Sequence, residues 1–219
     1  MQNIPILYSF IRCPYAMRAR YTLVYSNIKC ILREVDLKNK PDALLKASPK
    51  GTVPVLHLPD GQIIDQSLDI IYYALKQNDP QGIGNIDPED QSVIDRLIDK
   101  NDKVFAPLLN KYKYFTRHPE ETQSSYREQI ELHFLQQMNT QLELFPYLIG
   151  QKLSVADIAI FPFIRQFTLV DPDWSLSLHY KSLAAWLEKF TKDPSFEIIM
   201  QKNLPWVPGD PEIIFCKRI

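Results

Sequence analysis

The stretch SFIRCPYAMRARYTL, residues 9–23, places one cysteine, Cys13, directly ahead of a proline and a basic, helix-forming run. Pro14 suits the first position of a helix, where its missing N–H is one the helix start leaves unpaired anyway. The Cys13 sulfur then faces the N–H groups of the first turn, where the helix dipole favours negative charge. Arg12, Arg18 and Arg20 place positive charge close by in sequence. Such surroundings lower a thiol pKa from ~8.5 by several units. The gain in thiolate is largely offset by lower nucleophilicity, with a Brønsted slope of about 0.4–0.5. The larger benefit is in discharge, because a low-pKa sulfur leaves readily when a second thiol attacks its disulfide. In CPYA, Ala16 stands where a second cysteine would resolve that disulfide, so an external thiol must do it. A lone cysteine at a strand end also reads as inert packing, and the residues alone leave both readings open.

The elements that must hold this sulfur alternate in type over the first eighty residues. Residues 4–9 and 30–35 read as short buried strands and 14–26 as a helix. A short helix over 41–47 and a strand over 53–58 follow. PDG at 59–61 turns into a strand over 62–64, and Ser67 is expected to cap a helix reaching about Lys76. The order β-α-β-α-β-β-α predicts a small layered α/β domain over residues 1–78. NDPQGIGNIDPED, rich in Pro, Gly, Asn and Asp, reads as a linker over 79–90.

Beyond it the period is helical. Ile94, Leu97, Ile98, Phe105, Leu108, Leu109 and Tyr112 form one apolar stripe; Tyr126, Ile130, Phe134, Met138, Leu142 and Phe145 form another. Both read as core packing of an all-helical domain spanning 91–219. In LSVADIAIFPFIRQF, Ser154 and Asp157 make a capping-box pattern, Leu153 and Ile158 a hydrophobic staple, and Pro162 predicts a kink. That cluster concerns folding rather than chemistry.

Bulk properties narrow the partners. The 219 residues are 45% hydrophobic and 23% charged with net charge −1, which gives no electrostatic reason to expect nucleic acid or an acidic membrane. No run approaches the ~20 apolar residues of a membrane span, and the start has no signal-peptide pattern. Three widely spaced cysteines, Cys13, Cys30 and Cys216, argue against a disulfide framework and for a reducing cytoplasm. The scattered His57, His118, His133 and His179 make no metal-ligand spacing, so no metal is expected.

RCPYAMRAR, VDLKNKP, SPKGTVPVL and DQSLDIIYYAL, in this order, resemble the thioredoxin-like domain of cytosolic glutathione transferases. The closest resemblance is to the cysteine-bearing omega class and its dehydroascorbate-reductase-like members. It covers residues 4–77 closely and continues more weakly through the helical half. It implies a thioredoxin-like domain followed by a helical bundle that forms part of a second-substrate pocket. It implies glutathione as co-substrate and Cys13 as the catalytic residue, with Tyr15 packed beside the thiol. It also implies a cis bond between Val53 and Pro54, turning the Val53 backbone toward the cysteinyl part of glutathione. Gln66 and Ser67 would hold the γ-glutamyl carboxylate, with glutamine standing where the family usually has glutamate and Asp65 as a partial substitute. Lys40 and Leu37 would flank the glycyl end. The activity implied is a thiol transferase or reductase that forms a mixed disulfide, acting on a small apolar or disulfide substrate. Conjugation of glutathione to electrophiles, aided by Tyr8 or Ser9, and a non-catalytic binding role are the alternatives. The family's assemblies include homodimers and monomers.

Overall fold

The computed structural model describes residues 4–216. Strand β1 (Ile6–Ser9) and strand β2 (Cys30–Glu34) pair in parallel, Ile6 opposite Ile31 and Ser9 opposite Glu34. Parallel strands need a crossover, and helix α1 (Pro14–Tyr25) supplies it. Cys13 has extended backbone (φ −83°, ψ 121°) and Pro14 opens the helix. Its end is set by Asn27, whose φ of 51° lets the Asn27 N–H reach Val24 C=O and the Ile28 N–H reach Leu23 C=O. Helix α2 (Asp42–Ala47), strands β3 (Val55–His57) and β4 (Ile63–Ile64) and helix α3 (Ser67–Gln77) complete the expected order.

The sheet has one strand more than the sequence predicted. Its order is β4-β3-β1-β2-β5, where β5 (Ile213–Phe215) runs antiparallel to β2 with Cys30 opposite Phe215 and Leu32 opposite Ile213. Helix α11 (Pro194–Ile199) packs on α1. The boundaries expected from sequence are therefore corrected at two places. The chain forms one unit from residues up to Gly84 together with those from Asp193 on, and a second from Asn85 to Lys192. The tail leaves the helical unit because β2 otherwise presents an open edge, and Ile213, Ile214 and Phe215 are residues that suit filling it. Of the expected linker, residues 79–84 stay with the first unit. Asp79 holds them there by accepting from Tyr25 Oη (2.9 Å), Ile83 N–H (3.0 Å) and Gly84 N–H (2.7 Å).

The turn from α2 into β3 contains a position that needs glycine. Gly51 has φ +59°, and a Cβ there would lie 3.1 Å from Leu45 Cδ2 and 3.3 Å from Lys40 Nζ. Gly51→Ala is expected to destabilise the protein by about 1–2 kcal/mol, the cost of a left-handed non-glycine residue. A fall in the urea midpoint at unchanged slope would show it, and an unshifted midpoint would contradict it.

The second unit is helical. Helix α4 (Pro88–Lys100) continues through a π-helical turn at Asn101–Phe105 into α5 (Ala106–Lys113), and α6 (Gln123–Ile130) through another at Glu131–Leu135 into α7 (Gln136–Leu144). A stripe at strict four-residue steps, such as 126, 130, 134, 138 and 142, drifts about 40° per step around an α-helix. The wider π turn takes up that drift, and the Phe105 and Phe134 rings stack at 4.5 Å where the two π turns meet. Phe145 alone of the second stripe is left 36% exposed. Helix α8 (Val155–Thr168) continues past Pro162, is apolar nearly all round, and packs against α4, α5 and α10 (Lys181–Thr191). Helix α9 (Leu176–His179) precedes α10. Among the described residues no helix is long and apolar enough to cross a membrane.

Candidate active site

Cys13 lies at the C-terminal end of β1, where the parallel strands deliver the chain into a helix N-terminus. Its side chain is half-buried, and its C=O accepts the Met17 N–H at 2.9 Å, the first bond of α1. With Pro14 lacking a donor, the N–H groups of that turn begin at Tyr15 and Ala16. The sulfur packs on a cluster formed by Tyr8, Ala16, Val35, Leu44, Val53 and Val55, and donates to Val53 C=O at 3.6 Å. The Val53–Pro54 bond is cis.

The three cysteines differ in kind. No disulfide joins any of them. Cys30 is fully buried, and burial pushes its thiol up to about 12; burial also pushes Cys216 up strongly. Both are held as inert thiols, whereas Cys13 has an exposed part at a helix mouth.

The arginines divide in a way that corrects the sequence expectation. Arg20 is turned to the sheet face opposite Tyr8 and is 1% exposed, with Nη1 on Glu34 Oε2 at 3.0 Å and on Ser9 Oγ at 3.3 Å. Its charge is taken by Glu34 and does not serve Cys13. The cause is helical geometry: residues two apart on α1 point to different sides. Arg12 is exposed and lies over the Phe10 ring at 5.1 Å. Arg18, also buried, lies over the Tyr15 ring at 5.1 Å and donates from Nη1 to Ser67 Oγ at 3.4 Å. It thereby ties the cysteine's helix to the start of α3.

At that start the cap is Gln66, not Ser67. Gln66 is extended (φ −115°, ψ 133°) and exposed, and its C=O accepts the Ile70 N–H at 3.1 Å; Ser67 is the first helical residue and is buried. Asp65 accepts from Lys50 Nζ at 2.9 Å and Ser48 Oγ at 2.8 Å, which hold its carboxyl below the ordinary range. Lys40 is exposed and folds over Gly51, two residues before Val53; Leu37 beside it is 40% exposed. The structure thus brings Cys13 against Val53, links Tyr15 to Ser67 through Arg18, sets Lys40 over Gly51, and leaves Leu37 exposed.

The two hydroxyls considered as alternative activators are already engaged. Tyr8 Oη accepts from Arg33 Nη1 at 2.7 Å, and Ser9 Oγ is fully buried on Arg20. Sequence reasoning missed Glu34 and Trp206. Glu34 Oε1 accepts the Ile11 N–H at 2.6 Å, and burial pushes its carboxyl up against the opposing effects of that N–H and Arg20. Trp206 packs on the Cys13 cluster, edge-on to Tyr8 and 4.0 Å under the Arg33 guanidinium, and its backbone N–H donates to Glu34 C=O at 2.8 Å. A carboxylate closing an apolar strand was a readable signal for Glu34. Nothing local marked Trp206. Among the described residues no group of three or more His, Cys, Asp or Glu side chains could hold a metal ion.

Two family models match the chain: "Glutathione S-transferase, N-terminal domain" over residues 7–82 and "Glutathione S-transferase, C-terminal domain" over residues 132–189. Glutathione S-transferase omega-1 of Sus scrofa is 27% identical over 191 residues, covering 86% of this chain and 77% of that protein. The probable glutathione S-transferase DHAR1, cytosolic, of Oryza sativa subsp. japonica is 30% identical over 151 residues, covering 68% and 64%. The chloroplastic DHAR3 of Arabidopsis thaliana is 28% identical over 151 residues, and the chain spans 53% of its length. Glutathione transferase Omega 3C of Trametes versicolor superposes with a TM-score of 0.75 at 20% identity, covering 93% of this chain and 90% of that one, and so shares the fold. The chain belongs to the glutathione S-transferase family.

Proposed function

We propose that this protein is a glutathione-dependent thiol transferase whose nucleophile is Cys13. The observation that carries this is the placement of a partly exposed sulfur at the mouth of α1, 3.6 Å from the Val53 carbonyl that precedes a cis proline. In the first step the Cys13 thiolate attacks the glutathionyl sulfur of a mixed disulfide. Its S–S bond breaks, the substrate leaves as a thiolate, and Cys13 is left joined to glutathione. A second glutathione thiolate then attacks the glutathionyl sulfur, releasing glutathione disulfide and restoring Cys13. Electrons balance: one free glutathione thiol is oxidised for each substrate sulfur released as a thiol, its partner in glutathione disulfide being the glutathionyl sulfur already oxidised in the mixed disulfide. Dehydroascorbate reduction and deglutathionylation fall within this class.

The cradle for the tripeptide is built from the same residues. Val53 offers its N–H and C=O to the cysteinyl unit as an added strand does. Glutathione seated on the Val53 backbone would bring its sulfur up to Cys13. Ser67 and the first N–H groups of α3, backed by buried Arg18, receive the γ-glutamyl carboxylate. Lys40 faces the glycyl carboxylate, with Leu37 and Tyr15 as apolar walls. Gln66 offers no charge to the ligand's amino group, which leaves Asp65, engaged by Lys50 and Ser48, as the neighbouring carboxylate. The second substrate is a small apolar or disulfide-bearing molecule, and three widely spaced cysteines suit a reducing compartment such as the cytoplasm.

Conjugation to electrophiles is the weaker reading because the Tyr8 and Ser9 hydroxyls are occupied by Arg33 and Arg20. Incubation with glutathione disulfide followed by peptide mass mapping tests the proposal. One glutathione should be found on the Cys13 peptide and none on the Cys30 or Cys216 peptides. An unmodified Cys13 would overturn the mechanism and leave a non-catalytic binding role.

A further inference from the structure

Cys13 is carried on a loop, residues 10–12, that leaves β1 and has no strand to pair with. One turn bond, Cys13 N–H to Phe10 C=O at 2.9 Å, closes it locally. A second tie is long-range: the Ile11 N–H donates to Glu34 Oε1 at 2.6 Å, across 23 residues. Glu34 is itself fixed on every side. It ends β2 in register with Ser9, the last residue of β1. Its Oε2 accepts from Arg20, which also reaches Ser9 Oγ, so the same guanidinium grips both strands below the loop. The Phe215 ring of the tail strand covers Arg20 at 5.1 Å, and the tail's Trp206 backbone N–H caps the Glu34 carbonyl. Glu34 is 5% exposed and Arg20 1% exposed, so neither bond is weakened by competing water.

We propose that Glu34 is a positioning residue for Cys13, holding the sulfur in its reactive place through the amide of Ile11 while Arg20 and the C-terminal tail hold Glu34. This rests on the reading of Cys13 as the nucleophile. The loop amide needs an acceptor at one point, and a side chain one methylene shorter cannot reach it from the same backbone. A misplacement of about 1 Å at a reacting atom costs on the order of 10²-fold in rate. A loop that keeps its turn bond loses less, about tenfold.

Two substitutions separate positioning from plain stability because they should rank in opposite orders. Glu34→Asp keeps a carboxylate for Arg20 but withdraws the oxygen from Ile11. Glu34→Gln keeps an oxygen for Ile11 but strands the Arg20 charge. The aspartate variant should therefore be the more stable in a thermal melt, yet its Cys13 should react with iodoacetamide about tenfold more slowly than the parent. The glutamine variant should melt lower but alkylate within about threefold of the parent. Cys13 is read from its own peptide by mass spectrometry. Reactivity that follows stability across the two variants would overturn the proposal. If the glutamine variant does not fold, the aspartate variant alone decides, and a parental alkylation rate sinks the idea. Alkylation uses no glutathione, so this ordering can fail or hold independently of the glutathione adduct.

Discussion

Cys13→Ser is expected to lower turnover of a small glutathionyl mixed disulfide by at least about 10³-fold, to the uncatalysed background, as loss of a covalent nucleophile does. The fold should be untouched, because oxygen replaces a half-buried sulfur of similar size whose 3.6 Å contact to Val53 C=O a hydroxyl can also make. The chemistry should not survive. A serine hydroxyl neither forms a disulfide nor ionises near neutral pH. Cys30 and Cys216 offer no bypass: both are buried, and a thiol raised to about 12 carries on the order of 10³-fold less thiolate than one at the ordinary ~8.5. Turnover is followed by coupling glutathione disulfide formation to its reduction by a pyridine nucleotide. The same variant assayed for conjugation of a reactive aryl halide reads the rival activity. Retained disulfide turnover would falsify Cys13 as the nucleophile, and strong conjugation surviving in the variant would favour the rival.

The parts of this site legible in the sequence were those encoded locally. Pro14 after Cys13, the alternation of short strands and helices, and PDG at the hairpin each act over a few residues, and the structure has them within a residue or two. The cis bond at Val53 was legible only through family resemblance, since the dipeptide itself carries no such signal. What stayed hidden depends on contacts distant in sequence. Arg18 and Arg20 look alike in RARYTL, yet the helix sends one to Ser67 and the other to Glu34. Three apolar residues near the chain end had no readable partner, because strand β5 finds β2 across more than 180 residues. Ser67 reads as a helix cap by type; its hydroxyl instead accepts from Arg18, and the cap falls to Gln66.

Asp157→Ala should be the most damaging substitution for stability, although the residue is remote in role from the thiol chemistry. The sequence pattern accounts for only half of what Asp157 does. As the third residue of α8 it accepts from Ser154 N–H at 2.9 Å and Ser154 Oγ at 2.5 Å, the capping-box half. Its other oxygen accepts from Leu148 N–H at 2.9 Å and Trp186 Nε1 at 2.8 Å, joining the preceding loop and helix α10 to the start of the central helix. The carboxylate is fully buried, and burial pushes its pKa up while these four donors oppose the shift. Alanine leaves two backbone N–H groups and an indole N–H buried without an acceptor. Breaking a buried network of this kind costs about 3–5 kcal/mol, which for a chain of this size lowers the melting temperature by roughly 6–20 °C. Asparagine is expected to rescue only part of this, since its amide oxygen can serve Leu148 and Trp186 while its NH₂ is left facing the Ser154 N–H. Thermal melts of the two variants measure the ordering alanine below asparagine below parent. Well below the melt, the Cys13 alkylation rate should match the parent in both, as expected of a residue that organises the helical unit. A melting shift under about 2 °C for alanine would mean that the four donors find other acceptors, and the network would then not be what holds α8 in place.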